Sequence, residues 1–171
     1  MSTPFDFESA KFLNDLMNVF KISSSDITNK PFIDFISNLN KPIILSTGAA
    51  TYEEINQAID IILSKGNPHL ALNACTLSYH TEDKDANLSR IQTLKRMYPN
   101  FLIGMSDHTL PDKNMAIPAI SVALGARMIE KHYTMSRTLT GSGHYFSLEP
   151  NDLRKMVHNI RLFEIVLGDG E

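Results

Sequence analysis

Five short apolar runs alternate with helical patterns along the chain, and each run ends in polar residues capable of chemistry. Val19-Phe20-Lys21-Ile22 is followed by Ser23-Ser24-Ser25-Asp26, and Pro42-Ile43-Ile44-Leu45 by Ser46-Thr47-Gly48. Leu70-Ala71-Leu72-Asn73-Ala74 leads to Cys75-Thr76, and Phe101-Leu102-Ile103-Gly104-Met105 to Ser106-Asp107-His108. Arg127-Met128-Ile129 leads to Glu130-Lys131-His132. A strand–helix alternation of this kind implies parallel strands with helices packed outside them, an α/β fold. In an α/β barrel all strand C-termini face one mouth, where active sites sit. An open doubly wound sheet also places ligands at strand C-termini, so periodicity alone leaves both architectures open.

The helical segments carry their own signals. Phe7 to Met17 is a helix candidate with Phe12, Leu13 and Leu16 on one face. Pro31 to Leu39 follows, with proline in the first turn. Thr51-Tyr52-Glu53-Glu54 is a capping-box pattern, followed by an apolar stripe of Ile55, Ala58, Ile59, Ile62 and Leu63 and a Lys65-Gly66 stop. Weaker patterns run from Leu88 to Met97 and from Asn114 to Leu124, the latter short or kinked because it contains Pro118. The last helix starts after Glu149-Pro150, with Leu153, Met156, Val157, Ile160, Phe163 and Val166 expected to face inward.

The 171 residues favour one domain, and 43% hydrophobic content is enough for a sizeable core. Net charge is -3 with both signs interspersed, which gives no footprint for nucleic acid or an acidic membrane. Cys75 is the single cysteine, so no intrachain disulfide forms, and a reducing, cytoplasmic setting is the expectation. No apolar run approaches the roughly 20 residues that span a bilayer. The first residues lack the regions of a signal peptide.

Several residues are candidates for chemistry. Lys21 lies in an apolar strand pattern and either snorkels to the surface or supplies a cation for phosphate or carboxylate, with the Ser24 hydroxyl nearby. Ser46-Thr47-Gly48 is either plain turn chemistry or a phosphate-holding strand end. His108 and His132 close consecutive strands, and neighbouring parallel strands are about 4.8 Å apart, so the two imidazoles can converge on one ion with positions left for water or substrate. Asp107 is a candidate to orient His108, and Lys131 should point away from the face shared by Glu130 and His132. Cys75 reads as a buried, inert thiol. His144, in Gly141-Ser142-Gly143-His144, either lines the mouth or is solvated.

Taken in order, Ser2-Thr3-Pro4-Phe5-Asp6, Phe20-Lys21-Ile22-Ser23-Ser24-Ser25-Asp26, Leu45-Ser46-Thr47-Gly48, Cys75-Thr76 with Tyr79, Ser106-Asp107-His108-Thr109, Glu130-Lys131-His132-Tyr133-Thr134 and Phe146-Ser147-Leu148-Glu149-Pro150 resemble the N-acetylneuraminate (sialic acid) synthase family. The resemblance covers nearly the whole chain. It implies a transferase of carbohydrate biosynthesis that condenses phosphoenolpyruvate with an N-acetylated amino-sugar aldehyde, N-acetylmannosamine or a relative, and releases phosphate. It implies a divalent metal, Mn2+ or Mg2+, on His108 and His132. It further implies that Lys21, Ser24, Ser46 and Ser106 hold phosphoenolpyruvate with Thr3 at the phosphate, that Asp26 and Lys21 serve catalysis, and that Tyr79 contacts the sugar.

The resemblance also implies a partial (β/α)8 TIM barrel, about strands 4–8 with their helices. The first strands, with a glutamate and a second phosphate-binding lysine, are absent, as is a C-terminal antifreeze-like domain. A homo-oligomer or a completing chain is the expected partner, and a non-catalytic remnant that binds metal, phosphoenolpyruvate or a completing chain is the alternative. A related synthase making octulosonate or heptulosonate sugars is a third reading, against which the paired Ser106-Asp107-His108 and Glu130-Lys131-His132 weigh. Leu77 stands where the family has Ser or Asn, and His80 where it has Pro. Gly141-Ser142-Gly143 stands where the family has Gly-Pro-Asp, without the sugar-binding carboxylate, so legionaminic- or pseudaminic-type acceptors are equally expected.

Overall fold

The structure, a computed structural model, describes residues 1–168. Five strands and six helices alternate: α1 (Phe7–Asn14), β1 (Phe20–Ile22), α2 (Lys30–Asn38), β2 (Ile43–Ser46), α3 (Tyr52–Ser64), β3 (Leu70–Cys75), α4 (Ser89–Met97), β4 (Leu102–Asp107), α5 (Ala116–Ala123), β5 (Ile129–Lys131) and α6 (Pro150–Leu167). Strand order is β1-β2-β3-β4-β5, as expected for part of a (β/α) barrel. The chain divides into two compact units, Met1–Asn73 and Ala74–Glu171. No helix among the described residues is long and apolar enough to cross a membrane.

In the first unit, parallel pairing sets Phe20, Ile22, Ile43, Leu45, Leu70 and Leu72 on one buried face. The apolar stripes of α2 (Phe32, Ile33, Ile36) and α3 (Ile55, Ala58, Ile59, Ile62) are buried too, whereas Leu63, expected on the α3 stripe at the helix's last turn, is exposed. Helix α3 starts as its sequence demands: Thr51 Oγ1 accepts from the Glu54 amide and Glu54 accepts from the Thr51 amide. Lys21 and Ile44, paired in register, alternate onto the other face of their strands and are half-buried.

Two expected apolar faces are corrected. Helix α1 ends at Asn14, not Met17, and the Leu16 amide beyond it bonds to the Leu13 carbonyl three residues back, a tightened last turn. Its packed side is that of Phe7, edge-on to Phe32 and Phe35, and of Ala10, while Phe12 (70%) and Leu16 (67%) are exposed. In α6 only Met156 is buried, in a cluster with Met115 and Leu148 against which Ile129 and Ile160 pack. Leu153, Val157, Phe163 and Val166 are exposed. Length accounts for Phe163 and Val166: α6 packs on α5, and an 8-residue helix covers about 12 Å of an 18-residue helix about 27 Å long, while Leu153 and Val157, at the level of Met156, lie to the solvent side of it. Helix α5 is short rather than kinked, and Pro118 lies in its first turn, where its missing N–H costs nothing.

These packing assignments separate two substitutions. Ile62→Ala is expected to cost about 2–5 kcal/mol in urea unfolding. Phe12→Ser is expected to stay within about 0.5 kcal/mol of the parent, and a loss comparable to Ile62→Ala would restore the rejected α1 face.

Candidate active site

Most of the candidate residues lie at or beyond the C-terminal ends of the strands, Lys21 and Thr3 excepted, and the two units present different subsets. In the first unit, Lys21 sits in the middle of β1, whose Lys21 amide bonds to the Ser2 carbonyl; half-buried Thr3 follows in that adjoining segment. The polar run after β1 folds into a 3-10 turn, Ser24–Asp26, which sequence reading did not anticipate. Ser24 is buried and its Oγ accepts from the Gly48 amide at 3.0 Å, joining the turn after β1 to the turn after β2. Asp26 is half-buried and accepts from Asn29 Nδ2 at 3.3 Å. Ser46 ends β2 with its Oγ buried and without a partner among the described residues. Asn73, its register partner on β3, buries an equally unpartnered Oδ1. Buried polar atoms left this way ordinarily indicate an additional partner such as water or ligand.

In the second unit, Tyr79, His108 and His132 come together. The Tyr79 ring lies 4.4 Å from His108 and 5.7 Å from His132 between centroids, and the two imidazoles are 5.3 Å apart. Phe146 adds an aromatic wall 4.7 Å from His132. A cavity of about 270 Å3 opens there, lined by Tyr79, His132, Ser142, Gly143 and Phe146. Burial holds the Tyr79 phenol above its ordinary value, with the nearby Cys75 and Glu130 adding to the effect. It therefore remains a hydrogen-bond donor at neutral pH.

His108 is oriented by a group that sequence reading missed. Its Nδ1 is 3.0 Å from the Thr76 carbonyl, which can only accept, so Nδ1 carries the proton and Nε2 the lone pair of the neutral ring. Cys75, buried as expected, lies 3.8 Å from the same nitrogen. Asp107 does not orient His108. Its Oδ1 accepts from Thr109 N and Oγ1 at 2.8 and 2.7 Å, and its Oδ2 pairs with Lys131 Nζ at 2.7 Å. Lys131 does point away from Glu130, as expected, but into a buried ion pair. On the opposite strand face Ser106 Oγ donates to Glu130 Oε1 at 2.7 Å. Register explains both: Ser106 faces Glu130, and Asp107 faces Lys131. His144 is half-buried and tied to Thr134 Oγ1 at 2.7 Å.

The donor set fits a divalent ion held in part by the protein. Two imidazoles on neighbouring strand ends are sound nitrogen ligands, and the remaining positions would fall to water or substrate. No cluster of three or more His, Cys, Asp or Glu suited to a metal occurs among the described residues.

The Asp107–Lys131 pair generates a prediction. Their side chains are 0% and 2% exposed, so Lys131→Met alone strands a carboxylate in the interior. Chemical denaturation is expected to show a loss of about 3–5 kcal/mol, whereas a loss under about 1 kcal/mol would mean the pair is hydrated in solution.

Comparison with known proteins matches this chain to a family. The sequence profile of the NeuB family matches residues 1–171. The chain is 40% identical to the N,N'-diacetyllegionaminic acid synthase of Campylobacter jejuni, covering 99% of this chain and 51% of that protein. The crystal structure of the spore coat polysaccharide biosynthesis protein SpsE of Bacillus subtilis superposes with a TM-score of 0.92 at 36% identity, over 99% of this chain and 47% of that one. A truncated 3-deoxy-D-arabino-heptulosonate 7-phosphate synthase from Thermotoga maritima superposes with a TM-score of 0.85 at 17% identity, over 98% of this chain and 66% of that one, a likeness of fold alone. The chain spans about half the length of the relatives it matches. On a profile match that runs from its first residue to its last, the chain belongs to the NeuB family.

Proposed function

We propose that this chain supplies metal- and phosphoenolpyruvate-binding strand ends to a sialic acid-type synthase that makes a nonulosonic acid. The observation that carries the reading is the pairing of two strand ends. Ser106-Asp107 and Glu130-Lys131 lie side by side in register, and His108 and His132, which follow them, have imidazoles 5.3 Å apart beneath Tyr79, in a chain matched throughout by the NeuB profile. His108, through Nε2, and His132 would hold Mn2+ or Mg2+. Such an ion, when bound, acts as a Lewis acid toward an aldehyde oxygen.

The chain's own residues do the rest. The Lys21 ammonium balances the charge of phosphoenolpyruvate, and the hydroxyls of Thr3, Ser24, Ser46 and Ser106 orient its oxygens. The unpartnered buried hydroxyl of Ser46 supports that assignment. Asp26, on the turn that follows Lys21, would stand beside the reacting carbons. Tyr79, protonated at neutral pH, would donate to the acceptor sugar. The methylene carbon of phosphoenolpyruvate bonds to the aldehyde carbon, water adds at the former enol carbon, and phosphate departs with its bridging oxygen. The cavity beside His132 would receive the acceptor, and its rim of Ser142 and Gly143 carries no charge. That rim favours acylated or deoxy acceptors of the legionaminic or pseudaminic type alongside N-acetylmannosamine.

The chain spans about half the length of its relatives, and turnover is proposed for an assembly in which a second copy or a completing chain contributes further strands. The second reading is a subunit that binds metal and phosphoenolpyruvate without turnover. The test is Mn2+-dependent phosphate release from phosphoenolpyruvate, with and without N-acetylmannosamine or its 2,4-diacetamido relative. It is run on this chain alone and with the N-terminal strands of a relative added in trans. Sugar-dependent release in either setting is expected for the synthase. Its absence in both, from folded protein that binds phosphoenolpyruvate, leaves the binding subunit. In titration calorimetry His108→Ala and His132→Ala are each expected to weaken Mn2+ binding at least about tenfold, and parent-like isotherms for both overturn the metal assignment.

A further inference from the structure

The end of β4 is locked to the end of β5 by a network with no exposed member. Lys131 Nζ has three protons, and each has an acceptor: Asp107 Oδ2 at 2.7 Å, the Thr109 carbonyl at 2.8 Å and Thr109 Oγ1 at 3.3 Å. The other carboxylate oxygen of Asp107 gathers both the amide and the hydroxyl of Thr109. Asp107 and Thr109 are the two chain neighbours of His108, and Lys131 is the chain neighbour of His132. The His108 carbonyl is also held, by the Thr81 amide at 2.9 Å. The backbone that carries one imidazole is thus tied, through buried charge, to the backbone that carries the other.

Fold stability alone is a poor reason for such an arrangement. A buried ion pair often contributes no more than well-packed apolar side chains of the same volume, because both charges lose their water. What a fully satisfied network does supply is one fixed geometry. Two imidazoles are few ligands, so the ion's affinity depends on how closely they are already held to the bound arrangement.

We infer that Asp107, Thr109 and Lys131 form a latch that sets the spacing of His108 and His132, and that they act as positioning residues for the divalent ion without touching it. The inference rests on the proposed role of the two histidines. Its consequence is that metal affinity and fold stability respond differently when the latch is removed without leaving a lone charge.

The test uses the 171-residue chain and Mn2+ alone. Free Mn2+ is counted by electron paramagnetic resonance, and metal-free thermal unfolding is recorded for the same samples. Asp107→Asn with Lys131→Met removes both charges together, and the Asn side chain keeps an acceptor for the Thr109 amide. The double variant is expected to unfold cooperatively within a few degrees of the parent yet bind Mn2+ at least about tenfold more weakly. Its Co2+-loaded form is expected to show a shifted ligand-field spectrum, which a purely structural role would leave alone. Thr109→Val, which keeps the ion pair and removes one hydroxyl, covers the case in which the double variant does not fold. It is expected to weaken Mn2+ severalfold with cooperative unfolding retained. Parent-like Mn2+ affinity in whichever of the two is folded overturns the latch. If His108→Ala and His132→Ala still abolish binding in that case, the metal site stands and only the latch falls. If those two also bind like the parent, the metal site falls and takes the latch with it.

Discussion

The parallel register between β4 and β5 is the constraint on which this end of the molecule depends. Once Met105 faces Ile129, the next positions follow: Ser106 beside Glu130 and Asp107 beside Lys131, with His108 and His132 emerging just beyond. Side chains alternate across a strand. The Ser106–Glu130 pair and the Asp107–Lys131 pair therefore lie on opposite faces, and the two histidines return to the face of Ser106. A slip of one residue between the strands would leave the two imidazoles on opposite sides. Each of the two cross-strand bonds, at 2.7 Å, opposes that slip.

Around this register the structure divides its polar groups into two kinds. Some are fully satisfied within the chain, such as Lys131, Asp107 and the Nδ1 of His108. They hold positions. Others are buried without partners among the described residues, as Ser46 Oγ and Asn73 Oδ1 are. Leaving such atoms unpaired costs free energy, so their natural complement is a ligand or a water. Ser24, on the turn after β1, and Gly48, on the turn after β2, are already joined to each other, which ties those two turns together.

Much of this was legible in the residues. The capping box at Thr51 and Glu54, the alternation of strand and helix, and the buried face of α3 apart from Leu63 follow from local chemistry and are found where expected. The ends of α1 and α6 were not legible, because an apolar stripe shows which face wants burial but not how far the covering neighbour extends. Helix α6 outruns α5, and Phe12 lies on the side away from Phe32 and Phe35. At the site, the Thr76 carbonyl that orients His108 leaves no mark in sequence, since every residue has a carbonyl. The Asp107–Lys131 pair did leave one. Aligning Ser106-Asp107-His108 with Glu130-Lys131-His132 sets an acid opposite a base, a signal obscured by assigning Asp107 to the histidine beside it.

The central claim is that His108 and His132 bind one divalent ion together. Pulsed electron paramagnetic resonance of the chain loaded with substoichiometric Mn2+ tests this most directly, because imidazole nitrogen couples to the metal's electron spin. The account predicts modulation from two imidazole nitrogens, reduced to one in either His108→Ala or His132→Ala. A spectrum from oxygen ligands alone, unchanged in both variants, would contradict it.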